Sequence, residues 1–273
     1  MQPTRLRGRV LIIAGSDSGG GAGVQADIKT VTALAGYAAT AITAVTVQNT
    51  LGVTGIHPIP AQTVADQIRA VLGDIGADAI KTGMLGSGDI IDTVFSILKR
   101  EAPSIPLIVD PVMVAKGGAA LIKGEAINAM RSRLLTIAAL LTPNLPEAEV
   151  LTGRKIASPQ DMRDAAAHLL ALGPKAVLLK GGHLPGERIV DIYVGPDGTQ
   201  EWSDTRIDTR HTHGTGCTLA SAIATGLAQG LSSIDSISRA RIYVRRALET
   251  APGFGRGHGP LNHAHTVRPT TED

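Results

Sequence analysis

Cysteine is almost absent from this chain. Cys217 is the only one in 273 residues. No internal disulfide can form, and a reducing cytoplasm is the expected setting. Aromatic residues are nearly as scarce, at 2%, so the chain lacks the stacking platforms that single-stranded nucleic acid uses. Charge of one sign is not in excess either: 26 Lys and Arg face 24 Asp and Glu, a formal +2. The charges are interspersed without a basic run, and nucleic acid is not an expected partner. Long apolar runs are missing too. The run at 10–14 is too short for a signal segment, and glycines follow it at once. Nothing approaches the roughly 20 apolar residues of a membrane span, so no membrane partner is expected.

What is present is aliphatic. The hydrophobic fraction is 43%, mostly Ala, Val, Ile and Leu, the filling of a parallel sheet covered on both faces. Short apolar runs alternate with amphipathic segments. Strands are expected at 10–14, 40–47, 79–81, 107–110, 138–142 and 176–180, and a hairpin over 189–203 turns at Gly195-Pro196-Asp197-Gly198. Helices are expected at 24–34, 61–73, 90–99, 125–135, 146–151, 161–172, 216–229 and 234–250. Strands alternating with helices imply right-handed βαβ units and a mostly parallel sheet. No repeat or linker interrupts the pattern. One domain over 1–273 is expected, with a core of about 8–265 and a frayed polar tail from Thr266.

In open α/β sheets ligands bind beyond the carboxyl ends of the strands. The residues just after the expected strands are nearly all polar or glycine: Gly15-Ser16-Asp17, Gln48-Asn49, Lys81-Thr82-Gly83-Met84, Asp110-Pro111-Val112-Met113, Thr142-Pro143-Asn144 and Lys180-Gly181-Gly182-His183. That asymmetry points to a single active-site edge.

Two glycine-rich loops stand out. The first, from Gly15 to Gly23, is neither a dinucleotide fingerprint nor a Walker loop. It reads either as a plain strand-to-helix turn or as a ligand-wrapping loop, and five glycines favour the second. The other, Thr212-His213-Gly214-Thr215-Gly216-Cys217-Thr218, opens an Ala-rich helix. Amides and dipole at a helix start make a phosphate site; an ordinary N-cap by Thr215 or Thr218 explains the sequence about as well. Cys217 reads either as a thiol of lowered pKa at that helix start or as a small apolar residue, and its position in the loop favours the first. Glu147 of Asn144-Leu145-Pro146-Glu147 could hold a hydrated Mg²⁺ or merely suit a helix dipole. Asp110 could touch metal or substrate and Lys180 could neutralise phosphate; as rim charges they need do neither. His258, His263 and His265 match no standard zinc spacing and are read as structural or surface residues.

Together these segments resemble the bacterial hydroxymethylpyrimidine/phosphomethylpyrimidine kinases, a thiamine-pathway branch of the ribokinase-like superfamily. The likeness runs through eight segments in order, from Ile13-Ala14-Gly15-Ser16-Asp17 to the glycine motif ending at Cys217. It implies a three-layer α/β/α sandwich around a mainly parallel sheet. It also implies ATP and Mg²⁺, and a small-molecule substrate, an aminopyrimidine alcohol phosphorylated to its monophosphate and then its diphosphate. The pyrimidine is expected near Gly15, Ala22, Asp27, Gln48, Met84 and Val112, with the Gln48 amide reading its amino edge. Gly214, Thr215 and Gly216 would form an anion hole, and Cys217 stands where many relatives carry an aspartate base. Asn144, Glu147 and Lys180 are expected near Mg²⁺ and the ATP phosphates, and a homodimer is expected. One departure is the pair Arg210-His211, where the family often has Lys-Asn. The same resemblance leaves a pyridoxal or pyridoxine kinase as the alternative. A dinucleotide-dependent dehydrogenase and a non-catalytic vitamin-binding protein are the rivals from other classes.

Overall fold

The computed structural model describes residues 7–113 and 124–267. The elements are β1 (Arg9–Asp17), α1 (Gly23–Ala33), β2 (Tyr37–Asn49), β3 (Gly52–Pro58), α2 (Ala61–Gly73), β4 (Ala79–Thr82), α3 (Gly88–Glu101), β5 (Leu107–Val109), α4 (Gly124–Ser132), β6 (Leu140–Leu141), α5 (Leu145–Thr152), α6 (Pro159–Leu170), β7 (Val177–Lys180), β8 (Arg188–Gly195), β9 (Gly198–Thr205), α7 (Thr215–Ala228) and α8 (Ser233–Glu249). Short 3-10 turns follow at Leu134–Ile137 and His263–Thr266. The expected frayed tail began at Thr266, but Thr266 closes the second of these turns; the rest of that tail beyond residue 267 lies outside the described residues.

The strands form one sheet in the order β3-β2-β1-β4-β5-β6-β7-β8-β9. From β2 through β7 neighbouring strands run parallel, while β3 pairs antiparallel at one edge and β8 and β9 form an antiparallel hairpin at the other. The chain leaves β1 towards β2 and later returns to lay β4 on its other side. That reversal opens a crevice at the carboxyl end of β1, where such sheets bind ligands.

Strand β1 shows why the sheet is buried on both faces. Leu11 and Ile13 pack with Val64 and Ile68 of α2 and Val94 of α3. Val10, Ile12 and Ala14 pack with Val24 and Val31 of α1 and with Ala220 and Ala224 of α7. Farther along, Leu178 and Tyr193 meet Ile223 of α7 and Ile237 of α8. Helices α2–α6 thus cover one face and α1, α7 and α8 the other, a three-layer α/β/α sandwich. Each fully buried Ile, Leu or Val contributes roughly 1.5–3 kcal/mol. Aliphatic volume therefore fills the core that six aromatic residues could not, three Tyr, two Phe and one Trp.

Several strands differ from expectation. β1 and β2 run longer than 10–14 and 40–47, β6 is shorter than 138–142, and β3 was not expected at all. β3 carries Gly52, Gly55 and Pro58 and has no fully buried residue, so it offers no apolar face for a period of two to reveal; such residues are tolerated in an edge strand.

Candidate active site

A cavity of about 810 Å³ lies beyond the carboxyl ends of the parallel strands. Its volume suits a small alcohol beside a larger ligand. Of the residues expected at the site, Gly15, Ala22, Gln48, Met84, Asp110, Val112, Asn144, Glu147, Lys180, Gly214, Thr215, Gly216 and Cys217 all line it. Asp27 does not.

The two glycine loops interlock at the head of this cavity. The Asp17 carboxylate accepts from the amides of Gly19 (2.8 Å), Gly21 (3.1 Å) and Ala22 (2.8 Å), closing the first loop on itself. Its Oδ2 also lies 2.8 Å from His213 Nε2, in the second loop. Burial alone would raise the Asp17 carboxyl, but the bonds from His213 and the loop amides outweigh it and hold the group below its usual range. The His213 nitrogen in turn lies 3.3 Å from the Gln48 amide nitrogen. Gly214 has φ 85° and sits against the Gly21 carbonyl, where any Cβ would collide. Glycine is therefore required there for both backbone conformation and space.

The start of α7 faces the cavity without a side-chain cap. Gly214 occupies the N-cap position. The Thr215 hydroxyl donates back to the Thr212 carbonyl (3.1 Å), and the buried Thr218 hydroxyl has no hydrogen-bond partner. Neither threonine caps the helix, so the plain N-cap reading fails. Uncapped amides with Gly214 and Gly216 leave a place for an anion.

Below the helix start lie two ion pairs, the first fully buried and the second at the cavity wall. Lys81 Nζ donates to both oxygens of Asp27, at 3.0 and 2.9 Å, and Ser221 Oγ donates to the same carboxylate at 2.7 Å. Lys81 and Asp27 are both 0% exposed. The expected substrate contact for Asp27 is therefore corrected: its oxygens are used by Lys81 and Ser221, behind the cavity wall. Burial works against the Lys81 ammonium, but the Asp27 charge more than compensates and keeps it protonated above its usual range.

The second pair joins Lys180 to Asp110 at 3.0 Å, with Thr142 donating to the same oxygen at 3.2 Å. Glu147 is close by. It forms a reciprocal cap with Asn144: the Asn144 amide donates to Glu147 Oε2 at 2.8 Å, and the Glu147 amide donates to Asn144 Oδ1 at 2.9 Å. The helix-start reading of Glu147 is thus right as far as it goes, but the side chain is also buried. Burial and the Asp110 charge push its carboxyl up to about 7, against the pull of Lys180. Asp110 pairs with Lys180, and Glu147 adds a second buried carboxyl within the field of the same ammonium, a set short of positive charge that fits a hydrated divalent cation.

Cys217 reverses its expectation. Burial pushes its thiol up to about 11; the Asp27 and Asp110 carboxylates add to this, and Lys81 and the Gly23 amide oppose it. The helix start alone would favour the thiolate, but nearby carboxylates and desolvation dominate.

Sequence reading placed Asp17, Lys81 and His213 in its rim and loop segments but assigned a role to none of them. A lysine inside the apolar strand Ala79-Ile80-Lys81-Thr82 was the one available signal, since such a charge requires a buried partner.

The sheet order, the polar carboxyl edge and the uncapped glycine-rich helix start define a small-molecule kinase of the ribokinase-like class. The chain belongs to the phosphomethylpyrimidine kinase family, whose model matches residues 17–262. The hydroxymethylpyrimidine/phosphomethylpyrimidine kinase of Streptomyces coelicolor is 48% identical, over 93% of each chain. Thiamine biosynthesis bifunctional protein ThiED of Geobacter sulfurreducens is 51% identical over 94% of this chain, which spans only 52% of that relative's length. Among solved structures, a phosphomethylpyrimidine kinase from Clostridium difficile superposes with TM-score 0.78 at 43% identity, covering 88% of this chain and 98% of that one. The Staphylococcus aureus pyridoxal kinase in complex with AMP-PCP and pyridoxal gives 0.86 at 34% identity, covering 94% and 93%. No described helix is long and apolar enough to cross a membrane.

Proposed function

We propose that this protein transfers the γ-phosphate of ATP to the hydroxymethyl group of 4-amino-5-hydroxymethyl-2-methylpyrimidine, and then phosphorylates the monophosphate to the diphosphate, for thiamine biosynthesis. The observation that carries this reading is that the Gln48 amide and the uncapped start of α7 face one cavity. Gln48 Oε1 accepts from the Thr46 hydroxyl at 3.1 Å and its Nε2 stands 3.3 Å from His213 Nε2; an amide oxygen can accept twice and an amide nitrogen donate twice, which leaves one of each for an aminopyrimidine edge. Gly15, Ala22, Met84 and Val112 wall the ring; a Cβ on Gly15 would strike the Met84 methyl, so glycine keeps that wall thin.

Phosphoryl transfer needs positioning and stabilisation of charge more than covalent chemistry. The backbone at Gly214, Thr215 and Gly216, with the dipole of the uncapped helix start, would form the anion hole for the transferring group. Lys180 neutralises phosphate from the side, and Asn144 and Glu147 stand beside it. Asp110 and Glu147 would hold Mg²⁺, which neutralises the phosphate oxygens when bound. Cys217, which lines the cavity, would take the alcohol proton, and its elevated pKa makes the active thiolate a minor form at neutral pH. The reading treats 1–273 as one kinase domain in a cytoplasmic homodimer, for which exposed Val45 and Val47 on β2 offer an apolar face.

An ADP-release assay with the aminopyrimidine alcohol and with pyridoxine tests the substrate. Faster turnover of the pyrimidine is expected; far faster turnover of pyridoxine would overturn the choice.

A further inference from the structure

The chain does not end its work at α8. Residues 251–262 leave that helix as an irregular, glycine-rich segment that returns to the head of the cavity. There it makes two joins. On one side the His258 amide donates to the Thr50 carbonyl at 2.9 Å, and Gly257 packs so closely on the same carbonyl that a Cβ would collide. Thr50 follows Gln48 by two residues. On the other side the His213 amide donates to the Gly259 carbonyl at 3.1 Å, and His213 forms a bridge with Pro260. Between these joins the Gln48 and His213 side chains stand 3.3 Å apart. The backbone of 257–260 thus closes a ring whose other side is the Gln48–His213 contact. The far end is anchored: His263, 8% exposed, lies with its Nδ1 3.2 Å from the Tyr243 hydroxyl and 3.3 Å from that of Thr30.

We propose that segment 257–263 is a positioning element of the alcohol pocket, setting the spacing between the Gln48 wall and the His213 wall. Its joins are to Thr50 and His213, and it acts through them. The inference rests on the reading that the alcohol sits against Gln48. Backbone joins suit this task, because a shift of an ångström in a binding wall is enough to change productive geometry.

The test is Gly257→Ala, which must displace the Thr50 turn, compared with Gly73→Ala, where a Cβ meets nothing within 4 Å. In Gly257→Ala the KM for the aminopyrimidine alcohol rises on the order of tenfold while the KM for ATP stays within about twofold; Gly73→Ala changes neither. Equal rises for both substrates, or no rise, overturn the proposal. Hydrogen exchange on the unmutated chain guards against a variant that fails to fold: the alcohol alone should slow exchange across 254–260, and ATP alone should not. Absence of slowing with either the pyrimidine alcohol or pyridoxine overturns it as well. If the unmutated enzyme turns over pyridoxine and not the pyrimidine, the substrate reading falls. The KM split measured with pyridoxine then decides the positioning role separately.

Discussion

Asp17 Oδ2 lies 2.8 Å from His213 Nε2, across 196 positions of chain. One carboxylate therefore organises both glycine loops, because its oxygens also collect three amides of the first. In Asp17→Asn one oxygen becomes an amide that faces donors. We expect a stability loss of about 1–3 kcal/mol, read by urea melts, together with weaker binding of the alcohol. The sign with pH follows from the lowered carboxyl: its stabilisation is present above the unfolded carboxylate pKa and is lost as pH falls through the folded one. The difference between the unmutated chain and Asp17→Asn should therefore shrink on acidification. A difference that is constant from neutral pH to pH 3 would remove Asp17 from this role.

The Lys81–Asp27 pair makes a second prediction. Removing one partner leaves an uncompensated charge in the core. Lys81→Met should cost about 3–5 kcal/mol, and the double change Lys81→Met with Asp27→Leu should recover much of that loss. Denaturant melts of the two single variants and the double variant measure the coupling. Strict additivity would mean that the pair is not an interacting unit.

Glu147 yields a prediction of opposite sign to Asp17. Its folded pKa, raised to about 7, lies above that of an unfolded glutamate at about 4.3. Between those values the folded chain binds more protons, so this group lowers stability as pH rises, with the loss complete above about 7. Glu147→Gln keeps an acceptor for the Asn144 amide and removes the titration. Without added divalent cation, its Tm relative to the unmutated chain should climb from pH 5 to pH 8. A flat difference would show that the carboxyl is not raised.

Much of this architecture could be read locally. The apolar strands, the helices between them and the hairpin at Gly195–Gly198 followed from periodicity and turn residues, since each signal lies within a few neighbouring positions. The polar rim was legible because strands change character where they leave the core. β3 was not, because an edge strand with no buried residue has no pattern to show. Partnerships were hidden for a different reason. Lys81 announced a need for a buried acid, yet its partner lies 54 positions away, and nothing local selects it among 24 acidic residues. The Cys217 error has the same origin. The helix start is a local feature, whereas the burial that raises the thiol, and the Asp27 and Asp110 charges that add to it, come only with the tertiary fold.

Cys217 carries the last prediction. A thiol at about 11 is almost wholly protonated at neutral pH. If its thiolate takes the alcohol proton, kcat must rise steadily with pH beyond neutrality, about tenfold per unit while the thiolate remains scarce. Cys217→Ala should fold normally, lose on the order of 10²–10⁴ in kcat, and lose that slope. The two readouts separate base catalysis from packing. A packing role would lower the stability of Cys217→Ala and leave the pH slope of kcat in place, and a variant with near-normal kcat would show that the thiol is not the base. In that outcome the amides and the dipole at the start of α7 would remain to stabilise the transferring phosphoryl group, and the proton would have to leave by another acceptor in the cavity.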